Sequence, residues 1–263
     1  MLTQMQKLLY NAYSGYAAPT AVAYSTDSIK WGLAAAAKMR SPIVIGIASG
    51  VEVQEAAELT RFFAGRYAQA PSALSLEDCA GFEAAVQAVM CGYSNVVLDA
   101  RQDAALLREA AHMAHSMGAG VECRMDVSDE LFSDTGRLAE FVRETRIDGL
   151  YLTDKAAETP NEAADILRTK AIAEMEAQLN LPLSLDGDVY FNMERLSYVA
   201  RTAAARVCLR TVLSGAAVEA ARECVSHPET DRRGLTKLQA AVCDGYEEKL
   251  AEYIRVVNAH NRW

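Results

Sequence analysis

Short apolar runs recur along the chain, each followed by a longer segment whose apolar positions repeat near the helical period of about 3.6 residues. The runs TAVAYS, PIVIGIAS, SALSLED, NVVLDA, GVECRMD, GLYLTD, PLSLDGD and RVCLRT are read as strands. Between them lie amphipathic stretches such as EVQEAAELTRFFAGRYAQ, DAALLREAAHMAHSMG and GRLAEFVRETR. Gly92 and Gly118 fall where two helices should stop, because glycine accepts the left-handed backbone that often ends a helix. About eight strand–helix units in about 250 residues predict an α/β fold, a (β/α)8 TIM barrel. An open doubly wound sheet is the other arrangement of such units, but no dinucleotide glycine fingerprint follows the first strand. KLQAAVCDGYEEKLAEYIRVV reads as a C-terminal helical extension, packed on the barrel or on a partner. With no linker or break in composition, residues 1–263 are expected to form a single domain.

Alternation within the strands places Ser75 with Glu77 on the third, and Asp99 with Arg101 at the end of the fourth. It likewise groups Glu122, Arg124 and Asp126 on the fifth, Ser184 and Asp186 on the seventh, and Cys208 and Arg210 on the eighth. The charges gather at the carboxyl ends of the strands, where barrels carry their active sites. Two readings stand open. The acids and arginines form a polar site for an anionic or metal-bound substrate, or they pair with one another in a closed, salt-bridged mouth.

Composition narrows the partners. A net charge of −9 argues against nucleic acid and against an anionic membrane surface, both of which call for basic surface. No apolar run approaches the roughly 18 residues that a membrane span needs. The opening MLTQMQKLLYNAYSG lacks a basic flank and a small-residue cleavage site, so no secretory signal is expected. Six cysteines without a C-x-x-C pair are read as reduced thiols, which makes the expected compartment the cytoplasm.

Among single residues, Lys155 follows the sixth strand at the mouth. A lysine there could form a Schiff base with a ketose or aldehyde if its neighbours depress its pKa, or it could simply pair with Asp154. Arg101, Arg124 and Arg210 could clamp an anion in fork geometry, or serve as internal salt-bridge partners. His112 and His115 lie on a helix outside the barrel and are read as surface or packing residues. Cys79, Cys123 and Cys208 are read as small buried apolar residues.

Several stretches together resemble the class II, metal-dependent ketose-bisphosphate aldolases. SPIVIGIASG resembles the family's S-P-V-I-L-Q-V-S-x-G, and GYSNVVLDA its G-F-T-S-V-M-I-D-G. AHSMGAGVECRMD resembles A-H-x-x-G-V-x-V-E-A-E-L-G, and LPLSLDG falls where the family has I-P-L-V-L-H-G. FSDTGRLAEFVRETRIDGL, similar to Y-T-D-P-E-E-A-x-x-F-V-x-x-T-G-V-D-A-L, is the clearest, and TDRRGLTKLQAAV resembles the approach to the last helix. The resemblance spans nearly the whole chain and implies the barrel fold, retro-aldol cleavage of a phosphorylated ketose, and a homo-oligomer.

The chemistry of the family is where this chain departs. In LSLEDC, Glu77 stands for the family's acid/base Asp and Asp78 for its first zinc histidine. After the sixth strand TDKAAET has no histidine, and Glu158 is the nearest carboxylate by count. Asp186 replaces the third histidine, at the start of DGDVY. Of the phosphate-binding segments, Gly187 and Thr211 are kept; on the fifth strand Glu122 matches the family's first Glu, while Arg124 replaces its second. Carboxylates favour hard cations over zinc. The resemblance therefore implies Asp78, Asp186 and Glu158 as ligands of a divalent ion, Mg, Mn or Zn, with Glu77 moving the C4 hydroxyl proton. Loss of every zinc histidine favours loss or alteration of the parent reaction, and the alternative is a non-catalytic barrel that binds a small anion or a partner subunit.

Overall fold

A computed structural model describes residues 2–12, 15–154, 162–189, 192–226 and 234–263. Eight parallel strands close into a barrel in chain order: β1 (Ala18–Ala23), β2 (Ile43–Ile47), β3 (Ser72–Leu76), β4 (Asn95–Asp99), β5 (Gly120–Asp126), β6 (Gly149–Thr153), β7 (Leu183–Asp186) and β8 (Arg206–Leu209). β1 closes on β8 through pairs such as Ala18 with Arg206. All eight correspond to runs read from the sequence. β1 starts two residues earlier than expected and takes Pro19 near its beginning, where a missing donor costs a strand least.

Around the barrel run α2 (Thr26–Met39), α3 (Val53–Arg66), α4 (Phe82–Met90), α5 (Ala104–Ser116), α7 (Thr135–Thr145), α8 (Glu162–Leu179), α9 (Met193–Thr202) and α10 (Thr211–Ser226). Gly92 and Gly118 follow α4 and α5 with φ of +94° and +76°, as expected for helix-terminating glycines. A short α6 (Glu130–Ser133) intervenes after β5. The extension is α11 (Gly234–Val256); its buried face of Tyr246, Leu250, Tyr253 and Ile254 repeats at helical spacing, and the helix packs on α10 and α2. No helix among the described residues is long and apolar enough to cross a membrane.

Alternate strand residues do different work. Ile43, Ile45, Leu74, Val96, Leu98, Val121, Cys123, Leu150, Leu183, Val207 and Leu209 belong to the main apolar core between sheet and helices. Their alternates point into the barrel. At its amino end, α1 (Met5–Ala12) plugs the opening: Met5, Leu8 and Leu9 cluster with Ala18, Val44, Ala73 and Ala205. Above this plug the barrel interior turns polar, although such interiors are usually filled by branched apolar side chains. Thr20, Ser75, Glu77, Asn95, Glu122, Ser184 and Arg206 are all buried. Two glycines make room for the acids. A Cβ on Gly46 would lie 2.8 Å from Glu77 Cγ, and one on Gly149 would lie 3.1 Å from Glu122 Cγ.

Candidate functional site

The buried layer centres on Arg206, the first residue of β8. Its Nη2 lies 2.7 Å from Glu77 Oε2 and its Nη1 3.1 Å from Glu122 Oε2. Glu122 also accepts from Asn95 Nδ2 at 2.8 Å and from the Ser184 hydroxyl, while Asn95 donates to Ser75 Oγ at 3.0 Å. Burial works against the charge on Arg206, but Cys208, Glu122, Glu77 and Tyr151 outweigh it and drive its pKa further up. The guanidinium is therefore permanently charged. Two carboxylates and one guanidinium, all out of water, form a fixed unit that ties β3, β5 and β8 together.

A second ionic layer lies at the carboxyl end of the strands. Arg210, just past β8, grips Asp78 in fork geometry, with Nη1 2.9 Å from Oδ2 and Nη2 3.1 Å from Oδ1. Arg124, from β5, approaches Asp78 Oδ1 at 3.0 Å and also donates to the Glu77 backbone carbonyl. The Ser49 amide donates to Asp78 Oδ2 at 3.2 Å. The side chains of Asp78, Arg124 and Arg210 keep 22%, 28% and 21% exposure, against 0% for Glu77 and Arg206, so solvent reaches this layer and not the lower one. Tyr151 divides the two, its ring centroid 5.1 Å from the Arg124 guanidinium carbon and 5.4 Å from that of Arg206.

Electrostatics separates the mouth carboxylates. Burial opposes ionisation of Asp78, but hydrogen bonds and charge from Arg210, the Ser49 amide and the Arg124 charge hold its pKa below the ordinary aspartate value. Asp186, at the end of β7, goes the other way: burial and then the charge of Asp188 push it up to about 6, only partly offset by the Asp188 amide and the two arginines. Asp188 caps α10, accepting from the Thr211 amide, from Thr211 Oγ1 at 2.6 Å and from the Val212 amide at 3.3 Å.

A family model described as fructose-bisphosphate aldolase class-II matches residues 3–262. The chain belongs to the class II fructose-bisphosphate aldolase family. Sulfofructosephosphate aldolase of Alkalicoccus urumqiensis is 23% identical, the match covering 97% of this chain and 96% of that protein. Fructose-bisphosphate aldolase of Staphylococcus epidermidis is 21% identical, over 96% of this chain and 97% of its own length. Among solved structures, the YdjI aldolase of Escherichia coli K12 superposes with a TM-score of 0.83 at 18% identity, covering 100% of this chain and 99% of that one. The fructose-bisphosphate aldolase of Campylobacter jejuni gives 0.81 at 13% identity, over 100% of this chain and 97% of that one. At these identities the structural likeness concerns the fold.

Within this aldolase-family barrel the residues singled out from the sequence part company. Glu77 and Glu122 are brought together, but below the mouth and locked on Arg206. Arg124 and Arg210 converge, whereas Arg101 is exposed and pairs with its neighbour Asp99 at 2.6 Å, away from that clamp. Gly187 starts a 3-10 turn backed onto β8, where a Cβ would meet Val207 Cγ1 at 2.7 Å. The Thr211 hydroxyl is taken by Asp188. His115 pairs with Asp148 on the outside of the barrel at 2.8 Å. Cys123 and Cys208 are buried thiols that burial drives up to about 12. Lys155 and Glu158 lie outside the described residues.

Arg206 was missed, although its signal was present: Arg206, Cys208 and Arg210 alternate along one strand and so share a face. Tyr151 follows from the same rule on β6. The role of Asp188 had no local signal, since its partner Thr211 is 23 residues away along the chain.

A divalent ion fits this arrangement poorly. Among the described residues, no group of three or more His, Cys, Asp and Glu side chains could hold a metal. Both oxygens of Asp78 face guanidiniums, so an ion placed there would meet two fixed positive charges at close range. The described residues therefore do not fit the metal that the family implies.

Proposed function

We propose that this aldolase-family barrel binds a small anionic, phosphorylated ketose at its mouth without a divalent metal, and that the zinc-dependent cleavage of the parent family has been lost or altered. The observation that carries this reading is the convergence of Arg124 and Arg210 on Asp78, at the position where the family resemblance puts a metal ligand. A guanidinium is always charged and presents parallel donors that match the oxygens of a phosphate. Both arginines stay partly exposed, so a ligand entering from solvent can reach them. Relatives of nearly the same length carry the names of aldolases for fructose bisphosphate and sulfofructose phosphate, which supports an anionic ketose as the ligand class.

The buried layer then has a positioning role. Asp78 directly follows Glu77, Arg124 is two residues beyond Glu122 on β5, and Arg210 is four residues beyond Arg206. Each member of the upper layer is thus anchored through its own strand by a member of the lower one. Rigid support of this kind keeps two long arginine side chains aimed at one point without the entropy loss of ordering them on binding.

Calorimetric titration with fructose 1,6-bisphosphate, with and without chelator, tests the reading alongside a cleavage assay. Expected is binding that persists in chelator, weakens at least tenfold in Arg124→Ala and in Arg210→Ala, and is accompanied by no aldol products. Turnover abolished by chelator would overturn it in favour of a metal enzyme. Turnover that survives chelator and disappears in Lys155→Ala would overturn it in favour of a Schiff-base lyase.

A further inference from the structure

The Arg124–Arg210 clamp has an occupant, and it belongs to the chain. Asp78 offers one oxygen to each arm of the Arg210 fork and shares Oδ1 with Arg124, the bonding pattern that an oxyanion of a ligand would adopt. This carboxylate stands just beyond β3, in the bend between Glu77 and α4; the flanking amides of Glu77 and Cys79 are bonded to the Ile47 and Val97 carbonyls, so its displacement is a side-chain rotation on a fixed backbone. Among the described residues its other hydrogen bond is the one from the Ser49 amide, at 3.2 Å. The arginines are held independently. Arg124 keeps its bond to the Glu77 carbonyl and its place over the Tyr151 ring, and Arg210 has the Tyr24 phenol beside it. Departure of Asp78 would leave the clamp standing.

Charge makes coexistence of Asp78 and an incoming anion unfavourable. Asp186 and Asp188 stand near enough to offset part of the charge of the two guanidiniums, so what the mouth offers an anion is the aligned donors of Arg124 and Arg210 that Asp78 now occupies. A phosphate bonded to the same nitrogens would sit within a few ångströms of Asp78, at a distance where like charges repel strongly in a partly dehydrated site. Asp78 and the ligand thus compete for the same donors.

We infer that Asp78 is an internal stand-in for the anionic group of the ligand, and that the ligand binds by displacing it from Arg124 and Arg210. This rests on the anion-binding reading above and adds to it a built-in competitor. The competitor sets the affinity threshold of the mouth, holds the arginines paired while no ligand is present, and discriminates against monoanions too weakly charged to dislodge a carboxylate.

The test titrates fructose 1,6-bisphosphate and neutral fructose into the unmutated protein, Asp78→Asn, Asp78→Ala and Arg210→Ala, each first checked for folding by circular dichroism and thermal midpoint. Expected is bisphosphate binding at least tenfold tighter in the two Asp78 variants, loss in Arg210→Ala, and no effect on fructose. Equal or weaker binding in the Asp78 variants, with loss in Arg210→Ala, overturns the displacement and leaves the anion site standing. Absence of binding to the unmutated protein and both Asp78 variants overturns the anion site and the displacement together. A measurement on the unmutated protein guards against variants that fail to fold. Hydrogen–deuterium exchange at the Ser49 amide should speed up when bisphosphate saturates the mouth, because its acceptor leaves; unchanged or slower exchange contradicts the displacement.

Discussion

The barrel holds two ionic layers built from the same side-chain types in opposite proportion. The lower has two carboxylates, Glu77 and Glu122, around one guanidinium, Arg206, with all three sealed from water. The upper has two guanidiniums, Arg124 and Arg210, around one carboxylate, Asp78, with each partly exposed. The difference in water access separates their roles. A buried ion pair is costly to form and costlier to break, so it serves to fix geometry. A half-exposed pair can exchange one partner for another at modest cost, so it can serve to bind. Reversing the upper ratio would remove the donors that an anion needs at the mouth.

The largest effect should come from breaking the lower layer. Arg206→Met leaves two uncompensated carboxylates in the barrel interior and should lower unfolding free energy by about 3–5 kcal/mol, read from urea denaturation. Adding Glu77→Gln and Glu122→Gln to that variant should restore a large part of the loss, since a neutral layer no longer carries unpaired charge. If the triple variant were no better than the single one, the three residues would not act as a charge unit.

Next in size is a pH effect at Asp186. Its pKa in the fold is raised from 3.8 to about 6, so its contribution to stability is fully present below the unfolded value and is lost as pH rises through the folded one. Asp186→Asn should remove that decline between pH about 4 and about 6 and leave the protein more stable than the parent at pH 7, by about 1–2 kcal/mol. Denaturation curves across that range read it directly, and an unchanged pH slope would mean the carboxyl is better solvated than its surroundings indicate.

Comparable in size is the upper layer as a contributor to stability. Arg210→Ala should cost about 1–2 kcal/mol, because Asp78 loses its fork partner yet keeps water, Arg124 and the Ser49 amide. Its effect on bisphosphate binding should be far larger than its effect on folding, the reverse of Arg206→Met. Arg101→Ala should be silent in both readouts, since its pair with Asp99 is exposed and stands apart from the clamp. A loss of binding in Arg101→Ala would mean that the mouth extends to the end of β4.

Much of the candidate site was within reach of local reasoning, and the part that was not has a common feature. Period-2 alternation correctly grouped Glu122 with Arg124 and Cys208 with Arg210, because neighbours on one strand face share direction whatever the fold. Extended by one step it would have reached Arg206. It could not say that Arg206 meets Glu77, 129 residues away along the chain, or that Asp78 meets Arg210 across 132 residues. Nor could it separate Arg101 from Arg124 and Arg210, since all three stand within two residues of the carboxyl end of a strand. Pairing across the barrel depends on strand register and on which side chains find space, as Gly46 and Gly149 provide for the two buried acids.

The eight strands, the helix stops at Gly92 and Gly118 and the amphipathic C-terminal helix could all be read along the chain. Each depends on the chemistry of neighbouring residues or on a short repeat. Which carboxylates face water, which arginine is sealed inside the barrel, and whether Asp78 meets a cation from solvent or from the chain itself emerged when the barrel closed. Charges interact through space, and closure brings together groups from β3, β5 and β8 that no local pattern connects.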